Sequence, residues 1–263
     1  MSDLSRMDPT NRFTGLADVY ARCRPTYPAA AIDLIVARGG LGPQAPLVDI
    51  GCGTGISSRL FAERGVRVVG IEPNEDMRRQ AAAHPLAQGA PVPEYREGRA
   101  EATGLPAGAA DLVLAAQAFH WFEPDSALRE FHRILKPGGW AALIWNERDE
   151  ADTFTAAYGD VFRSIAGTAA LEASRARAGD PLLTHALFQD AERLSFMNEQ
   201  SLDEQGLLDR AFSASYAPRE PATVEAFARA LRDVFGRYQA DGRVVVRYET
   251  SLYLARARHA ARL

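Results

Sequence analysis

The segment Leu-Val-Asp-Ile-Gly-Cys-Gly-Thr-Gly, residues 47–55, joins a short apolar run to three glycines at alternate positions. The following residues, 56–62, place apolar side chains on one helical face, so the pattern predicts a strand, a tight turn and a helix. Glycines suit such a turn because the backbone needs unusual φ and ψ values, and because a ligand approaches where a Cβ would collide. The turn is therefore expected to contact a ligand.

Two carboxylates near this turn indicate the kind of ligand. A dinucleotide-binding turn has the spacing Gly-x-Gly-x-x-Gly, whereas Gly51, Gly53 and Gly55 follow the spacing Gly-x-Gly-x-Gly. Asp49 stands two residues before the first glycine, where a negative charge suits a cationic ligand better than a pyrophosphate. A second apolar run ends in Glu72, which is placed to accept hydrogen bonds from a ribose diol. The predicted ligand is a nucleoside that carries a positive charge.

These motifs resemble those of the class I S-adenosylmethionine-dependent methyltransferases. The first motif of that family matches residues 48–55, and its second motif matches Val-Gly-Ile-Glu-Pro at 69–73. Three later runs also fit, namely Gly-Arg-Ala-Glu at 98–101, His-Trp-Phe at 120–122 and Leu-Lys-Pro-Gly-Gly at 135–139. The likeness runs from Phe13 to about Arg258 and is closest to the small-molecule branch that includes trans-aconitate methyltransferases.

The resemblance implies an α/β fold, with a doubly wound, mostly parallel seven-stranded sheet of the Rossmann-like methyltransferase type. It also implies S-adenosyl-L-methionine as the cofactor and a small-molecule acceptor, with oxygen as the favoured acceptor atom. The expected cofactor-binding residues are Tyr20, Arg24, Asp49, Gly51, Cys52, Gly53, Gly55, Glu72, Pro73, Met77, Ala100, Glu101 and Gln117. Because many relatives carry an acidic residue where Arg99 stands, the adenine contact is expected at the backbone amide of Ala100, or is absent.

Strands and helices alternate from residue 47 to residue 146, which predicts a parallel sheet with helices on both faces. Ligands of such sheets lie beyond the carboxyl ends of the strands. Five residues at those ends are therefore expected to converge on one crevice, namely Asp49, Glu72, Arg99, Gln117 and Asn146.

Helical patterns outside this alternation predict four parts of the chain. Residues 1–40 form a helical lid, and residues 41–149 form the cofactor-binding core. Residues 150–239 form an inserted helical cap with a sixth strand, and residues 240–263 form a C-terminal strand that completes the sheet. The lid and the cap are expected to exclude water from the sulfonium of the cofactor.

His120 is the candidate catalytic residue. It directly follows the fourth strand, and a histidine side chain titrates close to neutral pH. A hydroxyl acceptor needs a base of this kind, whereas a carboxylate acceptor is already ionised. Two alternatives remain, in which the ring forms part of an aromatic wall around the donor methyl group or is a structural histidine with satisfied hydrogen bonds.

The acceptor pocket is expected to include Trp121, Trp145 and Asn146. Core packing is the alternative role of the two tryptophans. Arg175 and Arg177 of the cap are placed to attract an anionic acceptor such as a carboxylic acid. A solvated helix face is nevertheless the favoured interpretation of both arginines.

Composition argues against several classes of function. The 263 residues carry 30 basic and 34 acidic side chains, and the net charge of −4 argues against binding to nucleic acid or to an anionic membrane. The two cysteines have no paired histidines nearby, so no metal site is expected. No leader or membrane-spanning run is recognisable, so a cytoplasmic protein is expected. The sequence makes no prediction about the oligomeric state.

Two functions other than methyl transfer stay open. A nicotinamide-dependent oxidoreductase is disfavoured by the glycine spacing and by Asp49. A non-catalytic protein that binds S-adenosylmethionine is compatible with the same motifs, since the sequence assures no base.

Overall fold

The computed structural model describes residues 23–43, 45–175, 177–214 and 216–258. The first part of the expected lid, which includes Tyr20, lies outside the described residues. None of the helices in the described ranges is both long enough and apolar enough to cross a membrane.

Seven strands form one sheet in the order β3-β2-β1-β4-β5-β7-β6. They are β1 Pro46–Ile50, β2 Arg67–Ile71, β3 Glu94–Arg96, β4 Ala110–Ala116, β5 Leu135–Arg148, β6 Phe188–Leu202 and β7 Val244–Ala257. Strands β1 to β5 pair in parallel, and β7 is antiparallel to both of its neighbours. The strand order reverses at β1, which is where ligands bind in open sheets of this kind. The expected α/β fold with a seven-stranded sheet is confirmed.

Nine α-helices connect or follow these strands in the described residues. They are α1 Ala29–Arg38, α2 Ile56–Ala62, α3 Glu75–Ala83, α4 Pro124–Ile134, α5 Thr153–Val161, α6 Ala169–Arg175, α7 Asp180–Thr184, α8 Glu204–Phe212 and α9 Pro221–Tyr238. A 3₁₀ turn, Phe119–Trp121, follows β4, and a π-helical turn, Phe162–Ala166, continues α5. Carboxylate or amide side chains begin several of these helices; Asn74, for example, accepts a hydrogen bond from the Met77 amide at 3.0 Å.

The fifth strand is longer than its apolar run, residues 140–146, predicts. It extends to Arg148 because β7 pairs with it over its whole second half, so the partner strand and not local hydrophobicity sets its end. Strands β6 and β7 go on pairing as far as Leu202 and Val244. They therefore form a two-stranded ribbon that projects past the carboxyl end of β5.

Three hydrophobic clusters hold this arrangement together. Two of them cover the two faces of the sheet, one beneath α4 and the other beneath α1 and α2. The third cluster packs α5, α8 and α9 against the β6–β7 ribbon, with Tyr158, Leu207, Phe227 and Tyr248 fully or almost fully buried. The ribbon thus supports a separate helical layer on the side of the sheet where the parallel strands end.

Candidate active site

A cavity of about 1140 Å³ lies beyond the carboxyl ends of the parallel strands. Its loop end is lined by residues 51–54, 72–73, 77 and 98–101, and its arginine end by arginines and tyrosines of residues 148–248. The predicted site residues on its wall are Arg24, Gly51, Cys52, Gly53, Glu72, Pro73, Met77, Ala100, Glu101, Gln117, His120, Trp121, Trp145 and Asn146. The loops that follow the parallel strands and the residues of the helical layer therefore line a single cavity.

The glycine loop has the backbone that its sequence predicts. Gly51, Gly53 and Gly55 have φ angles of 67°, 55° and 74°, a region that residues with a Cβ rarely adopt. A Cβ on Gly51 would lie 2.7 Å from the Cβ of Ala118, whereas a Cβ on Gly53 would meet open space. Gly53 is thus the glycine that leaves room for a ligand, while Gly55 packs beside Tyr95 and is not part of the cavity wall.

Glu72 closes the loop end from the second strand. One carboxylate oxygen accepts a hydrogen bond from the Gly53 amide at 3.0 Å, and the other accepts one from the Asn74 amide at 2.9 Å. The side chain is 9% exposed, and burial raises its pKa although both amides oppose the shift. Each oxygen keeps a lone pair, so the carboxylate can accept further hydrogen bonds from a ligand in the cavity.

Asp49 does not lie on the cavity wall, because its strand position directs it to the start of α2. One of its oxygens accepts hydrogen bonds from the hydroxyls of Ser57 and Ser58, at 2.6 and 2.7 Å. Its other oxygen is buried without a partner among the described residues. Burial raises the pKa of Asp49 to about 6 against the opposing effect of the two hydroxyls. The expected convergence of five strand-end residues therefore fails for this one.

His120 lies in the 3₁₀ turn after β4, between the two ends of the cavity. Its Nε2 is 2.7 Å from the Arg175 guanidinium, and its Nδ1 is 3.4 Å from Nε1 of Trp145. Both neighbours only donate hydrogen bonds, so the shorter contact assigns the lone pair of a neutral ring to Arg175. Burial, followed by the charges of Arg175 and Arg24, holds the pKa of His120 well below its ordinary value.

The backbone between β4 and His120 is strained where it borders the cavity. Gln117 has a φ of 57°, unusual for a residue with a side chain, and its amide donates to the Ile144 carbonyl at 2.9 Å.

Two asparagines attach the N-terminal segment to the sheet. Asn146 donates to the carbonyl of Thr26 at 3.0 Å, as Asn198 of β6 does at 2.8 Å. These bonds hold the first described residues, which line part of the cavity, against β5 and β6.

The arginine end contains residues that sequence reasoning missed, beginning with two paired arginines. Arg148 lies 2.6 Å from Glu172, and Arg163 lies 2.6 Å from Glu150 and 3.2 Å from Glu172. Arg148 lies two residues beyond a predicted strand end, and this was the available signal for its place in the site. The positive charges of Arg148 and Arg163 are therefore largely neutralised by Glu150 and Glu172 within the cavity lining.

The favoured interpretation of Arg175 as a solvated residue is wrong. Its guanidinium lies 5.9 Å from the ring of Trp121 and 5.2 Å from the ring of Tyr216, in addition to its contact with His120. The same interpretation of Arg177 is confirmed, since 84% of that side chain is exposed beside Asp180. The two arginines differ because the first ends α6 and the second lies in the turn beyond it.

Arg210 and Tyr216 complete the arginine end. Arg210 is 8% exposed, and its Nε has no hydrogen-bond partner in the described part of the chain. Helical periodicity carried a signal for it, because Leu207 and Ala211 lie on the same buried face of α8. Burial raises the pKa of Tyr216, but the charges of Arg175, Arg148, Arg210 and Arg24 more than offset this and leave the pKa below its ordinary value.

Comparison with known proteins gives matches over the sheet and the cavity. A family model described as "Methyltransferase domain" matches residues 48–143. An uncharacterised methyltransferase of Mycobacterium tuberculosis is 32% identical over 226 residues, which cover 84% of this chain and 83% of the relative. A ubiquinone biosynthesis O-methyltransferase of Pseudomonas aeruginosa is 40% identical over 115 residues, 43% of this chain and 48% of the relative.

A solved structure extends the likeness to the whole architecture. It is that of an Anaeromyxobacter dehalogenans protein assigned as a type II methyltransferase, and it superimposes with a TM-score of 0.65. The two chains are 26% identical, and the match covers 90% of this chain and 99% of the other. Because the uncovered tenth of the chain is shorter than α5, α8 and α9 together, at least part of the helical layer lies within the region of likeness.

Proposed function

The chain belongs to the class I S-adenosylmethionine-dependent methyltransferases, and from this we propose that it methylates a small molecule at oxygen inside the cavity. One observation carries the proposal: the glycine loop, Glu72 and His120 line the same enclosed space. The net charge of −4 also supports a small acceptor over a nucleic acid.

The residues of the loop end fit the cofactor. S-adenosylmethionine, when bound, supplies an electrophilic methyl group on a positively charged sulfur. The open space at Gly53 admits a ligand against the backbone, and Glu72 has lone pairs free to accept from a ribose diol. Met77 and Ala100 are buried apolar residues on the same wall and suit an adenine ring.

Oxygen is the proposed acceptor atom because the similar Pseudomonas aeruginosa protein is an O-methyltransferase. His120 has the lone pair that a hydroxyl acceptor would require, but Arg175 occupies it at 2.7 Å. We infer that His120 acts as a base after Arg175 moves away from Nε2. Transfer to a carboxylate would need no proton acceptor, and His120 would then position the acceptor.

We propose that residues 1–40 and 150–239 act as lid and cap over this chemistry, with residues 41–149 as the core and residues 240–263 as the closing strand. Support comes from the bonds of Asn146 and Asn198 to the carbonyl of Thr26, which tie the N-terminal segment to the sheet. Exclusion of water favours transfer to the acceptor over side reactions. Hydrogen exchange of residues 23–30 should slow when S-adenosylhomocysteine binds, and equal exchange would contradict a closing lid.

The proposed function is tested by binding and by turnover. Calorimetry should show binding of S-adenosylhomocysteine and none of NADH, and the reverse result would favour an oxidoreductase. Labelled S-adenosylmethionine with a panel of phenols, alcohols and carboxylic acids should then yield methyl ethers or esters. The occupied lone pair of His120 favours one second candidate, a cofactor-binding protein without turnover, and this would be indicated by tight binding with no labelled product from any acceptor.

A further inference from the structure

The arginine end contains more positive charge than its own carboxylates neutralise. Building on the methyl transfer proposed above, we propose that this end is an anion subsite that holds a carboxylate group of the acceptor, with Arg210 as its central cation. Tyr216 and Arg175 form its sides.

Arg210 is the observation on which the subsite rests. Its guanidinium is buried on the cavity wall and forms no salt bridge within the described ranges, and its Nε is without a partner there. Burial of a charge without a counter-charge is strongly unfavourable for the free energy of folding. An uncharged side chain at position 210 would avoid this penalty. A ligand anion in the cavity would offset that cost each time it binds.

Neighbouring groups strengthen the positive field at the same point. Arg175 lies over the ring of Tyr216, and the guanidinium charges around this tyrosine lower the pKa of its phenol despite its burial. The surplus of positive charge here is local, because the chain as a whole has a net charge of −4. Anionic ligands are drawn to such a site even though the protein is acidic.

The same wall favours a carboxylate over a phosphate. Glu150 and Glu172 pair with Arg148 and Arg163 at the border of the subsite, so part of the positive field is already used. Arg210 is left as the cation without a salt bridge in the described ranges, and one such cation matches the charge of a carboxylate better than that of a dianionic phosphate. The planar fork of a guanidinium such as Arg210 also matches the two oxygens of a carboxylate.

The subsite is connected to His120 through Arg175, which contacts both His120 and Tyr216. A carboxylate bound beside Tyr216 would compete with Nε2 of His120 for this guanidinium. An acceptor that carries a carboxylate would therefore release the lone pair of His120 as it binds, while a neutral molecule would not. This gives the subsite a role in selecting acceptors as well as in holding them.

The test uses the full chain saturated with S-adenosylhomocysteine. The probes are a panel of mono-, di- and tricarboxylic acids, the amide of each acid, and inorganic phosphate, with binding measured by calorimetry. At least one acid should bind ten times more tightly than its amide and than phosphate. The Arg210→Gln variant should lose at least tenfold affinity for that acid and keep its affinity for S-adenosylhomocysteine, and Arg177→Gln, which alters an exposed arginine, should behave as wild type.

A second variant separates a ligand-binding arginine from a structural one. Without acid, Arg210→Met should melt at the wild-type temperature or higher, since it removes a buried charge, and acid should no longer stabilise it. A lower melting temperature together with weaker S-adenosylhomocysteine binding would assign Arg210 a structural role and overturn the subsite. Binding of no acid, equal binding of acid and amide, or preference for phosphate would also overturn it. Failure of wild type to bind S-adenosylhomocysteine would instead refute the proposed function.

Discussion

The loop end and the arginine end of the cavity are built in different ways. At the loop end, backbone amides and glycines form the contact surface, and the decisive bond joins Gly53 to Glu72, nineteen positions away. At the arginine end, side chains from α6, α8 and the strand ends meet, and Arg175 reaches His120 across 55 positions. The shape of the loop end is set by its backbone. The shape and charge of the arginine end are set by the side chains of the helical layer.

This difference predicts where substitutions act. A change at the loop end should alter cofactor binding whatever the acceptor, because the backbone itself is the binding surface. A change at the arginine end should alter the affinity for the acceptor and leave the affinity for the cofactor unchanged. Substitutions at Gly53, His120 and Glu72 test this division, and a substitution at Asp49 tests the stability of the loop end without ligand.

The largest effect is expected from Gly53→Val. The branched side chain would occupy the open space of the cavity and would strain a backbone with φ of 55°, so affinity for S-adenosylhomocysteine should fall about a hundredfold or more. Gly65→Val is the matched control, since Gly65 also has a positive φ and open surroundings but lies off the cavity wall. Calorimetry that finds equal affinity for the two variants would place the cofactor elsewhere.

His120→Ala should lower the rate with a hydroxyl acceptor by about a hundredfold and leave S-adenosylhomocysteine binding nearly unchanged. The pKa of His120 in the free enzyme is held well below its ordinary value by burial, Arg175 and Arg24, so the wild-type kcat/KM should vary little between about pH 6 and pH 8. Arg175→Gln removes one cause of that shift while burial, the larger cause, stays, so its kcat/KM should fall more at pH 6 relative to pH 8 than the wild-type value does. Full activity of His120→Ala at every pH would leave positioning as the whole mechanism.

Glu72→Ala should weaken S-adenosylhomocysteine binding about tenfold to a hundredfold, because it removes the ribose acceptor and also frees the Gly53 and Asn74 amides. Glu75→Ala, on the exposed side of the next helix, is the control and should bind as wild type. Unchanged affinity of Glu72→Ala in a calorimetric titration would reject the ribose assignment.

The smallest effect concerns Asp49 and the stability of the ligand-free protein. Folding raises the pKa of this carboxyl from 3.8 to about 6, so the folded state favours its protonated form. The stability this provides is present below about pH 4 and is lost as pH rises through about 6. Asp49→Asn should therefore raise the free energy of unfolding at pH 7 by about 1 to 3 kcal/mol.

Urea unfolding at pH 5 and pH 7 checks this prediction, with the exposed Asp233→Asn as the control. The wild-type protein should lose stability between these pH values relative to Asp49→Asn, because the asparagine side chain does not titrate. A parallel pH dependence of both proteins would show that the buried carboxyl contributes nothing to it.

Much of the loop end could be predicted from the sequence because its chemistry is local. The glycine spacing specifies the turn, and Glu72 ends an apolar run, so both were placed correctly on one wall. Asp49 was not, because apolar patterning locates a strand residue along its strand but does not show that Ser57 and Ser58 lie against its face. Strands β1, β2 and β4 were predictable for the same reason as the loop, since they are short apolar runs.

The arginine end could not be predicted in this way. Arg175 and Arg177 are two positions apart and look alike in sequence, yet one contacts His120 and the other is exposed. Their difference depends on where α6 ends and on the long-range packing of the helical layer. Arg210 left a trace in the helical periodicity, but periodicity predicts burial and gives no hint that a cavity adjoins the buried face.

The β6–β7 ribbon has a consequence for how such proteins diversify. It carries α5, α8 and α9 in a hydrophobic cluster of their own, and the residues of that cluster are separate from those beneath the sheet. A different set of helices packed on the same ribbon would place other side chains where Arg210 and Tyr216 lie. The glycine loop would not be disturbed by this change. The two ends of the cavity can therefore evolve independently. The loop end can stay unchanged while substitutions at the arginine end adapt the enzyme to a new acceptor.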